Sequence, residues 1–236
     1  MIAPEAAQIN HSVAEFAWRV KNWVRPLGLS ALGLPCQLLG TGMAIPWNVI
    51  GAADLGTGWI VEDLKLGLDL ASGGHPPLFC PSACVTSRFP VSAAGAETQR
   101  QRWEQGHIMT IFKAAPGFLV YAMARRNWYL LALTLDLAVP PLSLLGVLVL
   151  GSFLVTGLAA LFSMSPTAFY VSTASLLAFV AAGVLSWLKC GRDILPSASI
   201  LAIPNYAFRK VPLYCGILIN RIEAQWIRTD RTKSGG

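Results

Sequence analysis

Three side chains suited to binding a polar ligand lie close together in the sequence: Gln99, Arg102 and Trp103. Their spacing places them on one face of a helix, which the surrounding residues predict over positions 96–115. An amide, a guanidinium and a large aromatic ring pack poorly in a core and form a good wall for a binding site. The sequence therefore predicts a binding surface on this helix.

Two adjacent acids, Glu62 and Asp63, precede a helix predicted over residues 64–71. One interpretation is helix-end electrostatics, because the helix dipole stabilises negative charge in the first turn. The other is catalysis, in which one carboxylate takes up a proton from a reacting group. Taken by itself, the pair leaves both interpretations open.

A glycine-containing loop is the third candidate. Gly40, Thr41 and Gly42 interrupt an apolar stretch, residues 37–45, which we predict to be a short buried strand. Glycine inside a strand often marks the close approach of a ligand or of another backbone. A second strand, broken by a proline, is predicted over residues 78–85.

The composition predicts a membrane protein. Apolar residues make up 54% of the 236 residues and charged residues 13%, where about 25% charged is usual for a globular protein. Residues 137–188 contain no Asp, Glu, Lys, Arg or His, which is long enough for two spans of about 20 residues each. We expect these spans at residues 128–161, with a kink at Pro140-Pro141, and at residues 167–188. For Asp136, near one end of the first predicted span, functional and structural roles are both open.

Basic residues flank the apolar region on both sides, and the net charge is +6. This pattern is typical of cytoplasmic flanks and not of a nucleic-acid-binding stripe. Residues 117–127 are expected to lie in the membrane interface, and residues 194–219 to be re-entrant or interfacial because prolines and a basic pair interrupt them. The five cysteines show no zinc-binding spacing and are interpreted as reduced thiols.

The order of these motifs resembles the membrane-embedded, processive family 2 glycosyltransferases, a group that contains cellulose, chitin and hyaluronan synthases. The resemblance rests on the glycine loop Gly40-Thr41-Gly42-Met43-Ala44, on Glu62-Asp63, and on Gln99, Arg102 and Trp103 as Gln-x-x-Arg-Trp. Val61 stands where the family has Thr in its Thr-Glu-Asp motif. The closing Trp226-Ile227-Arg228-Thr229 is similar to the tail of bacterial relatives.

The resemblance implies an α/β fold: a partial glycosyltransferase domain of the GT-A type, followed by transmembrane α-helices. Residues 1–116 are the expected acceptor-side part of that domain and 117–127 an interfacial segment. Residues 128–188 are expected to hold two transmembrane helices, and 189–236 a re-entrant or interfacial segment with a basic tail. The implied location is a bacterial inner membrane, with the non-membrane part and the C-terminus in the cytoplasm.

The resemblance also implies roles for the candidate residues in an inverting transfer from a nucleotide sugar, a UDP- or GDP-sugar, to a glycan or lipid acceptor. Asp63 is the implied base and Glu62 its neighbour. Gln99 and Arg102 are the implied ligands of the donor and its diphosphate. The implied acceptor-binding residues are Trp103, Gly40, Thr41 and Gly42.

One motif of the family is absent from this sequence, the Asp-x-Asp that holds a divalent cation, Mg or Mn. The cation ligands of the complete enzyme are therefore expected outside this chain. The sequence is similar to the C-terminal half of such an enzyme, and a separate N-terminal half is a possible partner. The alternative is a membrane protein that kept the fold and lost the chemistry.

Overall fold

The computed structural model describes residues 9–51, 53–55, 58–86, 93–162 and 166–219. Their helices, in chain order, are α1 (Ile9–Arg19), α2 (Arg25–Ala31), α3 (Trp47–Ile50), α4 (Glu62–Ser72), α5 (Ala93–Lys113), α6 (Ala115–Ala124), α7 (Trp128–Ala138), α8 (Leu142–Leu161), α9 (Pro166–Cys190), α10 (Ala202–Phe208) and α11 (Val211–Leu218). A π-helical segment, Val20–Val24, joins α1 to α2, and a 3-10 turn, Ser197–Ser199, precedes α10.

The predicted α/β fold of the GT-A type is wrong, because the described part of the chain contains helices and no strand. The two stretches expected to be strands, residues 37–45 and 78–85, are irregular segments that run beside each other. A backbone hydrogen bond of 3.0 Å joins Cys36 N to Pro77 O. This hydrogen bond does not continue into a β-ladder between the described residues, because prolines lack a backbone donor and the two loop glycines adopt positive φ angles.

The main apolar core lies where α4 and α7 pack together, with contributions from α6. Its buried residues are Val61, Leu64, Leu68, Ala71, Ala115, Ala122, Leu130, Leu133 and Leu137. The Asn127 side chain caps α7 by accepting a hydrogen bond from Leu130 N and also donates one of 2.9 Å to Ala71 O at the end of α4. This core holds the N-terminus of α4, and with it Glu62 and Asp63.

Two helices, α8 and α9, are long and apolar enough to cross a membrane. They pack against each other as a hairpin, in which Phe179 and Phe169 of α9 lie against Gly146 and Gly157 of α8. A hydrogen bond of 2.7 Å joins Thr156 Oγ1 to Ser172 Oγ. Small residues and hydroxyl pairs of this kind are the usual contacts between membrane helices.

The first span is shorter than the sequence indicated, because the chain breaks between α7 and α8. Pro140 and Pro141 end one helix and start the next, and Leu130, Leu133 and Leu137 of α7 are fully buried in the core. The helices α5 and α6 are bent by 44° relative to each other, and only together are they long and apolar enough for one broken span.

The helices α10 and α11, of 7 and 8 residues, are too short to cross a bilayer. They fold back onto the rest of the molecule. Leu195, before α10, is buried with Val13 and Phe16 of α1, while Tyr214 and Ile217 of α11 are buried with Ile108 of α5. Arg19 of α1 also pairs with Asp193 at 2.8 Å, just beyond the end of α9.

The break at the two prolines makes a prediction about topology. Single cysteines placed at Val139, Phe162 and Arg192 in a cysteine-free background are expected to divide into two groups. Val139 and Arg192 should react with a membrane-impermeant maleimide from one side of the membrane, and Phe162 from the other. Labelling of Val139 and Phe162 from the same side would contradict α8 as a complete span.

Candidate functional site

Asp63 lies in the first turn of α4 and directly against the glycine loop. Its Oδ1 accepts a hydrogen bond of 2.9 Å from Leu64 N. A Cβ atom built on Gly40 would lie 3.0 Å from Asp63 Oδ2, so a side chain at this position would crowd the carboxylate. The structure therefore brings together two of the predicted site elements, although they are 23 positions apart in the sequence.

The glycine loop is an exposed turn and not the buried strand that the sequence indicated. Gly40 and Gly42 have φ angles of 72° and 68°, a region that favours glycine. Thr41, between them, is exposed. A Cβ on Gly42 would lie 2.6 Å from Val85 Cγ2, so the loop is held between Asp63 on one side and the 78–85 segment on the other.

The helix α5 carries Gln99, Arg102 and Trp103 and is called the motif helix below. It packs against the same region at Gly106. A Cβ on Gly106 would lie 2.8 Å from Val61 Cγ1 and 3.3 Å from Ile60 Cγ2. Gly106 follows Trp103 by three residues and Gln99 by seven, so these positions share a helix face. The face that carries Gln99, Arg102 and Trp103 is therefore the face that packs next to Glu62 and Asp63.

The predicted residues are thus adjacent without all being in contact. Gln99, Arg102 and Trp103 are half-buried, and Glu62 is exposed. Among the described hydrogen bonds, none joins Asp63 to Gln99 or Trp103. The site consists of a carboxylate and a glycine loop in direct contact, with the amide, guanidinium and indole groups on the neighbouring helix.

A cleft beside this site was not predicted. Half of its lining residues are polar or charged, and the other half are apolar residues and a cysteine, namely Lys21, Arg25, Gln37, His107 and Asp136, and Pro26, Leu29, Cys36, Leu39 and Leu64. His107 is buried, and its Nε2 lies 3.0 Å from Leu137 O, so that nitrogen carries the donated proton. The cleft extends to Leu64, the residue after Asp63.

Lys21 enters the cleft from the π-helical segment. Pro26 cannot donate a backbone hydrogen bond and would clash in a regular helix, and Arg25 N bonds to Val20 O with the wider π spacing. In the sequence, Lys21 lies within an ordinary amphipathic pattern, so neither its type nor its spacing identifies it as a candidate site residue. Only Pro26 indicates an irregularity in this stretch, because proline lacks the backbone donor of a regular helix.

Several effects act on the pKa of Asp63, and the largest after burial is the hydrogen bond from Leu64 N, which lowers it. Burial raises the pKa of the Asp63 carboxyl, and the nearby negative charge of Glu62 raises it further, while the positive charge of Lys21 lowers it. Lys21 is exposed as a residue, but protein atoms crowd its ammonium and lower the pKa of that group. The negative charge of Asp63 acts in the other direction and raises this pKa. A carboxylate whose pKa is raised binds a proton more readily, as a general base must.

Asp136 forms an ion pair inside the structure. Arg25 Nε donates a hydrogen bond of 2.6 Å to Asp136 Oδ1, and Gln37 Nε2 donates bonds of 2.7 Å to Leu133 O and 3.2 Å to Asp136 Oδ2. The Asp136 side chain is only 8% exposed. These bonds tie α2 and the loop before Gly40 to α7, which favours the structural role for Asp136.

The residues described here offer no cluster of three or more His, Cys, Asp or Glu side chains that could hold a metal ion. Glu62 and Asp63 are only two adjacent acids, and the positive charge of Lys21 lies near Asp63. They do not fit the divalent cation that the resemblance implies, so we assign the cation no residue of this chain.

Comparison with known proteins gives one positive result. The model of a family described as glycosyl transferase family group 2 matches residues 10–185, a range that includes every candidate residue named above. No curated protein matches the chain, and no solved structure matches it either.

The Arg25–Asp136 pair yields a prediction about stability. Asp136→Asn leaves a half-buried guanidinium without its counter-charge, and we expect the unfolding midpoint in detergent to fall by roughly 5–10 °C. Asp193→Asn removes the same charge from a pair whose carboxylate is 64% exposed and should lower the midpoint by about 2 °C or less. Equal shifts for the two variants would contradict the structural role of Asp136.

Proposed function

This chain belongs to glycosyl transferase family group 2, and from that premise we propose that it transfers a sugar from a nucleotide sugar to a glycan or glycolipid at a membrane surface. Membership of the family supports glycosyl transfer in general, with a nucleotide-sugar donor and an acceptor. The finer points are our proposal: a UDP- or GDP-sugar, an inverting reaction, and a likeness in product to the cellulose, chitin and hyaluronan synthases.

The observation that carries the proposal is the contact between Asp63 and Gly40. An acceptor hydroxyl needs a carboxylate within hydrogen-bond reach and an open surface on which to approach it. Gly40 and Gly42 have positive φ angles and no side chains, so the backbone of the loop can run close to the carboxylate. The loop is exposed, which leaves room for a sugar ring. Helix-end electrostatics alone does not explain why Gly40 packs against Asp63.

In the proposed reaction, Asp63 takes the proton of the acceptor hydroxyl as its oxygen attacks the anomeric carbon of the donor sugar. The bond from that carbon to the nucleoside diphosphate breaks, and the diphosphate leaves with the bonding electrons. A single displacement of this kind inverts the anomeric configuration. Glu62 stays next to the base, and its charge adds to the effect of burial, which is the main cause of the raised Asp63 pKa.

The motif helix supplies the binding groups of the proposal. Arg102 offers planar N–H donors that match diphosphate oxygens, and Gln99 offers an amide to the donor. Trp103 offers an aromatic face on which the apolar side of an acceptor sugar stacks. The packing of Gly106 on Val61 supports these roles, because it places this face of α5 next to the proposed base.

We place the site at a membrane surface because α8 and α9 are long and apolar enough to span a bilayer. The basic residues at both ends of this hairpin support a cytoplasmic position for the site under the positive-inside rule. A bacterial inner membrane is the location we propose.

The base assignment makes the first prediction for this function. In membranes from cells that express the protein, Asp63→Asn should lower kcat for sugar transfer about 10²- to 10⁴-fold, because the amide cannot accept the proton. Asp69→Asn, on the same helix but paired with Lys65 at 2.6 Å, should stay within about twofold, as a surface pair contributes little. Transfer is followed as label moving from UDP- or GDP-sugars to the membrane fraction.

Two outcomes would count against the proposal in different ways. Equal rates for wild type and Asp63→Asn would contradict Asp63 as the base. No transfer by wild type from any of the nucleotide sugars, with Mg or Mn supplied and a separate N-terminal half present, would favour the non-enzymatic membrane protein instead.

The charge of Lys21 yields a second prediction, on pH dependence. Asp63 acts as a base only when ionised, so a raised pKa moves the loss of kcat/KM on acidification to higher pH than for an exposed Asp. Lys21 opposes that rise, and Lys21→Met should therefore move the acidic limb to still higher pH. Lys65→Met, which removes a charge from α4 without facing Asp63, should leave the limb unchanged; an equal shift would argue against a direct effect of Lys21.

A further inference from the structure

Glu104 follows the motif directly and takes part in a buried network that the proposed chemistry does not use. Its Oε1 pairs with Lys210 Nζ, and its Oε2 accepts a hydrogen bond of 3.0 Å from Tyr214 Oη. Tyr214 Oη is also hydrogen-bonded to Ser143 Oγ. Since the phenol has one proton, and donates it to the carboxylate, Ser143 donates to the phenol. We call these four residues the Glu104 network.

The network joins three separate parts of the chain at some cost. Glu104 belongs to α5 and Ser143 to the first turn of α8. Lys210 is the residue before α11, and Tyr214 lies within α11. Lys210 and Tyr214 are 8% and 2% exposed. Removing a lysine and a glutamate from water is unfavourable unless both are well paired, so such a network indicates a specific geometric requirement.

The geometry of α5 shows which requirement this is. Glu104 and Ile108 are one turn apart and face α11, where Ile108 is buried with Tyr214 and Ile217. Successive residues of a helix are turned by about 100°, so this face lies opposite the one shared by Gln99 and Gly106. The Glu104 network thus contacts one face of α5, while the opposite face packs on Val61 through Gly106.

We propose that Glu104 is a positioning residue, which fixes the Gln99–Arg102–Trp103 face relative to Asp63 and to the membrane hairpin through Lys210, Tyr214 and Ser143. The inference rests on the proposed function, since it concerns how the donor-binding groups are held. Glu104 itself points away from the site and touches no reacting group. Its loss weakens donor binding by letting α5 shift, without removing a ligand of the donor.

Stability and donor binding separate this role from a merely structural one. Glu104→Gln leaves the Lys210 ammonium buried without its counter-charge, so the unfolding midpoint should fall. The double variant Glu104→Gln/Lys210→Met removes both charges, and the midpoint should recover most of that loss. The KM for the nucleotide sugar should nevertheless stay about three- to tenfold above wild type in both variants, because neither restores the bond that sets the helix position.

A variant that leaves no buried charge unpaired is the second test. Tyr214→Phe removes only the hydroxyl that links Glu104 to Ser143, and the donor KM should rise about threefold, the loss of roughly one hydrogen bond. A matched control should keep the wild-type KM. Tyr121→Phe removes a hydroxyl from an exposed tyrosine of α6 that takes no part in the Glu104 network.

The results distinguish the inference from the function beneath it. A donor KM within twofold of wild type for Glu104→Gln and Tyr214→Phe, in membranes where wild type transfers sugar, would overturn the positioning role alone. A lower kcat at unchanged donor KM would also overturn it, because a smaller folded fraction explains that result. No transfer by wild type would contradict the proposed function itself.

Discussion

The packing of α5 against the residue pair Ile60 and Val61 is the contact on which the site depends. It is possible because Gly106 has no side chain, and a Cβ there would come within 2.8 Å of Val61. Val61 is itself part of the main core, and the next two residues are Glu62 and Asp63. One close helix approach therefore sets the spacing between the acidic pair and the helix that carries the proposed binding groups.

Ion pairs and polar contacts hold the elements that this packing brings together. Arg25 and Gln37 reach Asp136, which connects the N-terminal helices and the glycine loop to α7. Glu104 reaches Lys210 and Tyr214, which connects α5 to α11. These partners are 99 to 111 positions apart in the sequence, so they assemble the site from distant segments instead of stabilising single helices.

The local elements of the site could be predicted from the sequence, and the fold between them could not. Spacing alone placed Gln99, Arg102 and Trp103 on one helix face, and the apolar run gave two candidate membrane helices, which the structure confirms. The strand prediction for residues 37–45 was wrong because apolar residues beside glycines suit an extended loop as well as a strand. The roles of Lys21 and Glu104 depend on partners far along the chain, which no local pattern reveals.

The length of α9 has a consequence for where the site stands above the membrane. With 25 residues and a rise of about 1.5 Å per residue, α9 is about 37 Å long, while the hydrocarbon core of a bilayer is about 30 Å thick. In such a bilayer the helix would tilt or project by a turn or more. α1 packs against Trp187, near the end of α9, and against Gly191, just after that end. Bilayer thickness thus becomes a determinant of the height of α1, and so of the Lys21 cleft and the glycine loop, over the lipid headgroups. A change of lipid composition would then change the distance between the candidate site and the bilayer surface.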